Sequence, residues 1–194
     1  MAVRFLLSVA LLMMCSSPLL AAQASESLQA DPLPDGEVFP VAELSGDLTA
    51  EQRSYLGLIE TTESFSLTDI RADVLIVEIY SMYCPFCQKE APVVQELYDL
   101  IQARGLADKV KIIGMAAGNS QAEVEVYRAK FAPPYPLFPD FDYTFHKLCG
   151  QVGTPYFYVL ERQGEEFFVA LQHLGQTESA EGFLRDVLFA TEIQ

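Results

Sequence analysis

The chain has 194 residues, with 12 Lys and Arg against 27 Asp and Glu, a formal charge of −15, and no tryptophan. Phosphates repel so acidic a surface, which excludes nucleic acid as a partner and makes anionic lipid surfaces unattractive. Hydrophobic residues make up 51% of the chain, enough for the core of one domain without disulfide staples.

Residues 1–24 carry a single charge, Arg4, followed by the apolar run FLLSVALLMM and a small-residue stretch ending AAQA. This layout predicts a secretory signal cleaved after Ala22-Gln23-Ala24, with Cys15 discarded along with it. The apolar run is short for a membrane-spanning helix, and a retained N-terminal anchor is the alternative. Export predicts a location outside the cytoplasm, the periplasm of a bacterium. It leaves Cys84, Cys87 and Cys149, one close pair and one leftover rather than a disulfide scaffold. Residues 25–48 are acidic, with three prolines and two glycines, and read as a linker or loosely packed arm. Residues 49–194 are then the folded domain. It opens with a capping box, Thr49 with Gln52, and a short helix to Gly57.

From Phe65 the elements become regular. DVLIVEIYS has the length and composition of a strand buried on both faces. A helix follows from Cys84 to Arg104, interrupted by Pro92 and stopped by Gly105. KVKIIGMAA is a second buried strand. Ser120 with Glu123 caps a helix that ends before Pro133-Pro134, and YPLFPD is short and extended. FDYTFHKLCG reads as a helix closed by Gly150. TPYFYVLER and EEFFVALQHL flank Gln163-Gly164 as a hairpin. ESAEGFLRDVLFATEI is a terminal amphipathic helix. The order predicts an α/β fold with a mixed central sheet flanked by helices.

The chemistry centres on Cys84-Pro85-Phe86-Cys87. A thiolate, not a thiol, is the nucleophile, and the N–H groups and dipole at a helix N-terminus favour it. Cys84 falls at that position. Cys87, one turn on, is placed to attack a mixed disulfide formed on Cys84. Glu78 interrupts an otherwise apolar strand six residues before Cys84; buried there, its carboxyl would titrate near neutrality, whereas at a strand edge it would simply reach water.

A buried strand running into Cys-x-x-Cys and a long helix resembles the active site of the thioredoxin fold. The longer layout is similar to exported TlpA/ResA-type thiol–disulfide oxidoreductases. Pro92, eight residues after Cys84, matches the helix proline of thioredoxins. VGTPY resembles the loop that holds the family's cis-proline, which implies that Pro155 faces the disulfide and Thr154 offers backbone hydrogen bonds to substrate. The long interval from Cys87 to Pro155 implies an extra strand–helix insertion. The resemblance implies that Glu78 relays protons for Cys87 and that Cys84 and Cys87 form the redox-active disulfide. It implies protein thiol and disulfide substrates and no organic cofactor, since the dithiol carries both electrons. A reductase in an oxidising compartment would also need a membrane electron donor, with cytochrome c maturation one such pathway. Tyr83 stands where the family usually has tryptophan. Tyr83 and Phe86, with Tyr80 and Tyr156, are candidates for an apolar groove around the thiols.

Two other readings compete, copper binding and a docking module with an inert disulfide. Cys84, Cys87 and His146 would make a copper-binding thioredoxin-fold protein, although related copper carriers usually separate their cysteines by three residues. Peroxidase action is disfavoured, because Pro-x-x-x-Thr-x-x-Cys is absent around Cys84. Cys149 reads either as a third exchanging thiol or as a small buried hydrophobe.

Overall fold

The computed structural model describes residues 31–58 and 64–193. The expected signal of residues 1–24 and the start of the arm lie outside them. A five-stranded mixed sheet runs in the order β5-β4-β3-β6-β7. Its strands are β3 (Val74–Tyr80), β4 (Val110–Ala117), β5 (Leu137–Asp140), β6 (Tyr156–Gln163) and β7 (Glu166–Leu174). β3 pairs parallel to β4 and β4 to β5, while β6 runs antiparallel to both β3 and β7. Every residue of β3 and β4 is buried, as expected of central strands covered by helices on both faces.

Side chains alternate across β3 and so serve two cores. Val74, Ile76 and Tyr80 pack beneath α2 (Pro85–Ala103), α3 (Gln121–Phe131) and α5 (Ala180–Ala190). Leu75, Val77 and Ile79 face the opposite core, which includes α1 (Ala50–Leu56) and α4 (Thr144–Leu148). β5 and α4 form the extra strand–helix unit between α3 and β6. Both capping boxes are present, at Thr49 and Ser120. Pro92 does not interrupt α2, which continues through it. Proline deletes one backbone bond, but Ala91, Val94 and Leu97 keep the helix buried on either side.

The arm differs from expectation. Residues 31–48 are not a loose tether: Phe39, Ala42 and Leu44 are buried in the core. Backbone bonds join Gly36 N to Val169 O (2.7 Å), Val169 N to Glu37 O (2.9 Å) and Phe39 N to Phe167 O (2.7 Å), so the arm lies along the outer edge of β7. Glu43–Ser45 then forms β1, antiparallel to β2 (Ser64–Ser66). The acidic, proline-rich composition hid a few apolar residues that reach the core while their neighbours stay in water.

Candidate active site

The thiol pair sits where β3 hands over to α2. Cys84 is the N-cap of α2 in extended conformation, Pro85 occupies the first turn, and Sγ of Cys84 accepts from Cys87 N at 3.3 Å. Proline suits this place, since its missing N–H would be unpaired there anyway. The approach is fastened by Asn119, whose Oδ1 accepts from Met82 N (2.8 Å), and by Gln88, whose Nε2 donates to Met82 O (2.7 Å). Across the sheet, the Thr154–Pro155 peptide bond is cis. The protonated Sγ of Cys84 donates to Thr154 O at 3.3 Å.

The two sulfurs titrate in opposite directions. Burial pushes the Cys84 thiol up, but hydrogen bonds from the side chains of Cys87 and Thr154 and from the backbone of Cys87 and Phe86 outweigh it, holding its pKa below the ordinary value. Cys87 is fully buried, and burial reinforced by its bond to Cys84 drives its pKa well above the ordinary value. Such an arrangement favours attack by Cys84 and requires a base before Cys87 can act.

Glu78 is a candidate for that base. It lies on the α2 side of β3, 1% exposed, so it is not an edge residue reaching water. Desolvation pushes its pKa up to about 7, against the opposing bond from Tyr135, with the charge of Glu90 adding to the rise. Tyr135 Oη donates to Glu78 Oε2 at 2.9 Å. Glu90 is a second buried acid, missed in the sequence. Its Oε1 accepts from Thr177 N (3.1 Å) and Thr177 Oγ1 (2.6 Å), linking α2 to the loop before α5. The available signal was helical spacing: Glu90 is three residues after Cys87 and shares the buried face with Cys87, Ala91 and Val94.

Of the expected groove aromatics, Tyr83 and Phe86 are 65% and 57% exposed beside the pair. The Tyr83 hydroxyl bonds Glu123, and Lys89 lies over the Phe86 ring. Tyr80 and Tyr156 do not join them; both are buried. Tyr80 turns into the α2 side against Tyr127, and Tyr156 stacks on Tyr158 in the opposite core. His146 is not brought to the thiols either. Its Nε2 is 2.7 Å from Val152 O, and among the described residues no three His, Cys, Asp or Glu side chains gather to hold a metal ion. Cys149 is buried on the face opposite Cys87, and burial pushes its thiol far up.

Residues 47–165 match the family model described as AhpC/TSA. A curated relative, the thiol-disulfide oxidoreductase ResA of Geobacillus thermodenitrificans, is 24% identical over 99 residues, which span 51% of this chain and 55% of ResA. The solved structure of StoA from Bacillus subtilis covers 77% of this chain and 97% of its own at 22% identity, with a TM-score of 0.55. AhpC of Mycobacterium tuberculosis covers 81% and 97% at 14% identity, with a TM-score of 0.56. The fold is therefore thioredoxin-like, and the resemblance to ResA-type proteins read from the sequence holds.

Proposed function

The chain belongs to the AhpC/TSA family, and from that premise we propose that it is an exported thiol–disulfide oxidoreductase acting on protein substrates as a reductase. The observation that carries this reading is the sulfur of Cys84 at the N-cap of α2, favoured as thiolate and lying beside Thr154, with Cys87 buried one turn below.

The Cys84 thiolate attacks one sulfur of a substrate disulfide. An S–S bond forms between Cys84 and that sulfur while the substrate's other sulfur leaves as a thiolate and takes up a proton. Cys87 then loses its proton to the Glu78 carboxylate and attacks Cys84 Sγ, releasing the second substrate thiolate. The products are a reduced substrate and a Cys84–Cys87 disulfide, two electrons having passed to the substrate. A membrane electron donor outside the cytoplasm would restore the dithiol. Thr154, cis-Pro155, Tyr83 and Phe86 would hold the substrate segment against Cys84, and no organic cofactor is needed. The signal of residues 1–24 would direct export, leaving the arm from residue 25 and the thioredoxin-like domain.

Trapping tests the assignment. Cys87→Ser is expected to accumulate mixed disulfides on Cys84, and Cys84 to alkylate faster and at lower pH than either other thiol. Equal alkylation of all three overturns it. Equilibration with glutathione reads the direction: a potential near about −270 mV supports a reductase and one near about −120 mV an oxidant.

A further inference from the structure

Glu78 Oε2 is tied by Tyr135, whereas Oε1 has no hydrogen-bond partner among the described residues. The two oxygens of one buried carboxyl are thus unequal, and the cause lies in a segment far from the thiol motif. Tyr135 stands in Pro133-Pro134-Tyr135-Pro136, between α3 and β5. The flanking prolines restrict the backbone there. Gly114 N donates to Pro136 O at 2.9 Å, and Gly114 is the residue of β4 directly opposite Glu78. A Cβ on Gly114 would lie 2.5 Å from Leu137 Cδ2 and 3.1 Å from Tyr80 Cε1. The absent side chain lets the segment close down beside Glu78 and bring in the phenol.

The other groups around Glu78 do not tie its carboxyl. Phe157, opposite it on β6, is apolar. The Tyr80 hydroxyl on β3 has no partner among the described residues. Tyr127 on α3 donates to Cys87 O at 3.4 Å. From α2 come Cys87 and Glu90, the latter opposing a negative charge on Glu78.

We propose that Tyr135 is a positioning residue for thiol–disulfide exchange, donating to Oε2 of Glu78 and so confining the transferable proton to Oε1. This rests on Glu78 being the proton relay for Cys87. Burial keeps the Tyr135 phenol protonated far above neutral pH, so it remains a donor throughout the range in which Glu78 titrates. Its donation favours the carboxylate, opposing both desolvation and Glu90. Without it, Glu78 would hold its proton to higher pH and be protonated when Cys87 requires a base.

The measurement is the titration of the Glu78 carboxyl carbon by NMR in protein labelled at glutamate, its signal assigned by its loss in Glu78→Gln. Tyr135→Phe is expected to raise the midpoint by about one pH unit and to move the rising limb of the exchange-rate profile with it. In a Glu78→Gln background the same change should move no limb. Tyr135→3-fluorotyrosine keeps the ring's shape and strengthens the donor, so it is expected to lower the midpoint, and it guards against a Phe variant that fails to fold. A midpoint unmoved by either replacement overturns the proposal. Failure of the relay itself is read separately, from exchange rates in Glu78→Gln that match the unmodified protein.

Discussion

Cys87 and Cys149 are both fully buried, on opposite faces of one sheet, and burial drives both thiols far above their ordinary pKa. Their neighbourhoods differ. Cys149 lies in an apolar core with Phe145 and Val152, and the nearby charge of Asp140 makes its thiolate costlier still. Cys87 lies one turn below a sulfur whose thiolate is favoured, on the face that also carries Glu78, Glu90 and Tyr135. Burial therefore raises the same barrier on both faces. Only the face of Cys87 supplies a partner sulfur with which to cross it.

The sharpest way to break this contrast is paired substitution. Cys87→Ala should abolish turnover of a model disulfide, while Cys149→Ala should leave it unchanged. Loss of turnover in both would make Cys149 a participant. Glu78→Gln comes next. It should slow exchange by up to about 10²–10⁴-fold near neutral pH, the usual range for a positioned acid–base group. It should also change stability in a pH-dependent way. The folded pKa of about 7 exceeds the ordinary 4.5, so between these values the native state holds a proton that the unfolded chain has released. Stability is then lost as pH rises through that window, and the lost part is absent in the Gln variant. Urea unfolding at pH 4 and pH 8 should show the variant gaining on the original by on the order of 3 kcal/mol at the higher pH.

A comparable effect is expected on the other face, without any catalytic signature. Phe39 packs against Tyr158 and Phe145 with ring centroids 5.4 and 6.0 Å away. Phe39→Ala should lower unfolding free energy by about 3–5 kcal/mol while the alkylation rate of Cys84 stays the same. The smallest effect is the stability cost of Cys149→Ala, about 1 kcal/mol for a lost buried group of that size, measured by the same unfolding curves.

The sequence displayed the parts whose signals are local. Apolar runs located β3 and β4, capping boxes located α1 and α3, and the passage from strand to Cys84 marked the thiol centre. Glu78 was visible because an acid inside VLIVEIY contradicts its neighbours. Glu90 was not, because an acid on a long helix ordinarily faces water, and only packing of the β7–α5 loop against α2 buries it. Tyr135 was hidden in a proline-rich connection whose course depends on Gly114, 21 residues earlier. The copper site failed for a related reason: three suitable donors in the sequence carry no information about which sheet face each one reaches. The arm was misread because composition averages over residues, whereas burial selects Phe39, Ala42 and Leu44 individually.

The course of that arm has a consequence for encounters between molecules. β7 ends the sheet, and an unpaired outer strand offers its N–H and C=O groups as a template to any extended chain, including another copy of the same protein. The C=O of Phe167 and both groups of Val169 are already taken by residues 36–39. The protein thus occupies its own point of self-recognition along this stretch, and a second molecule arriving there finds these groups already paired.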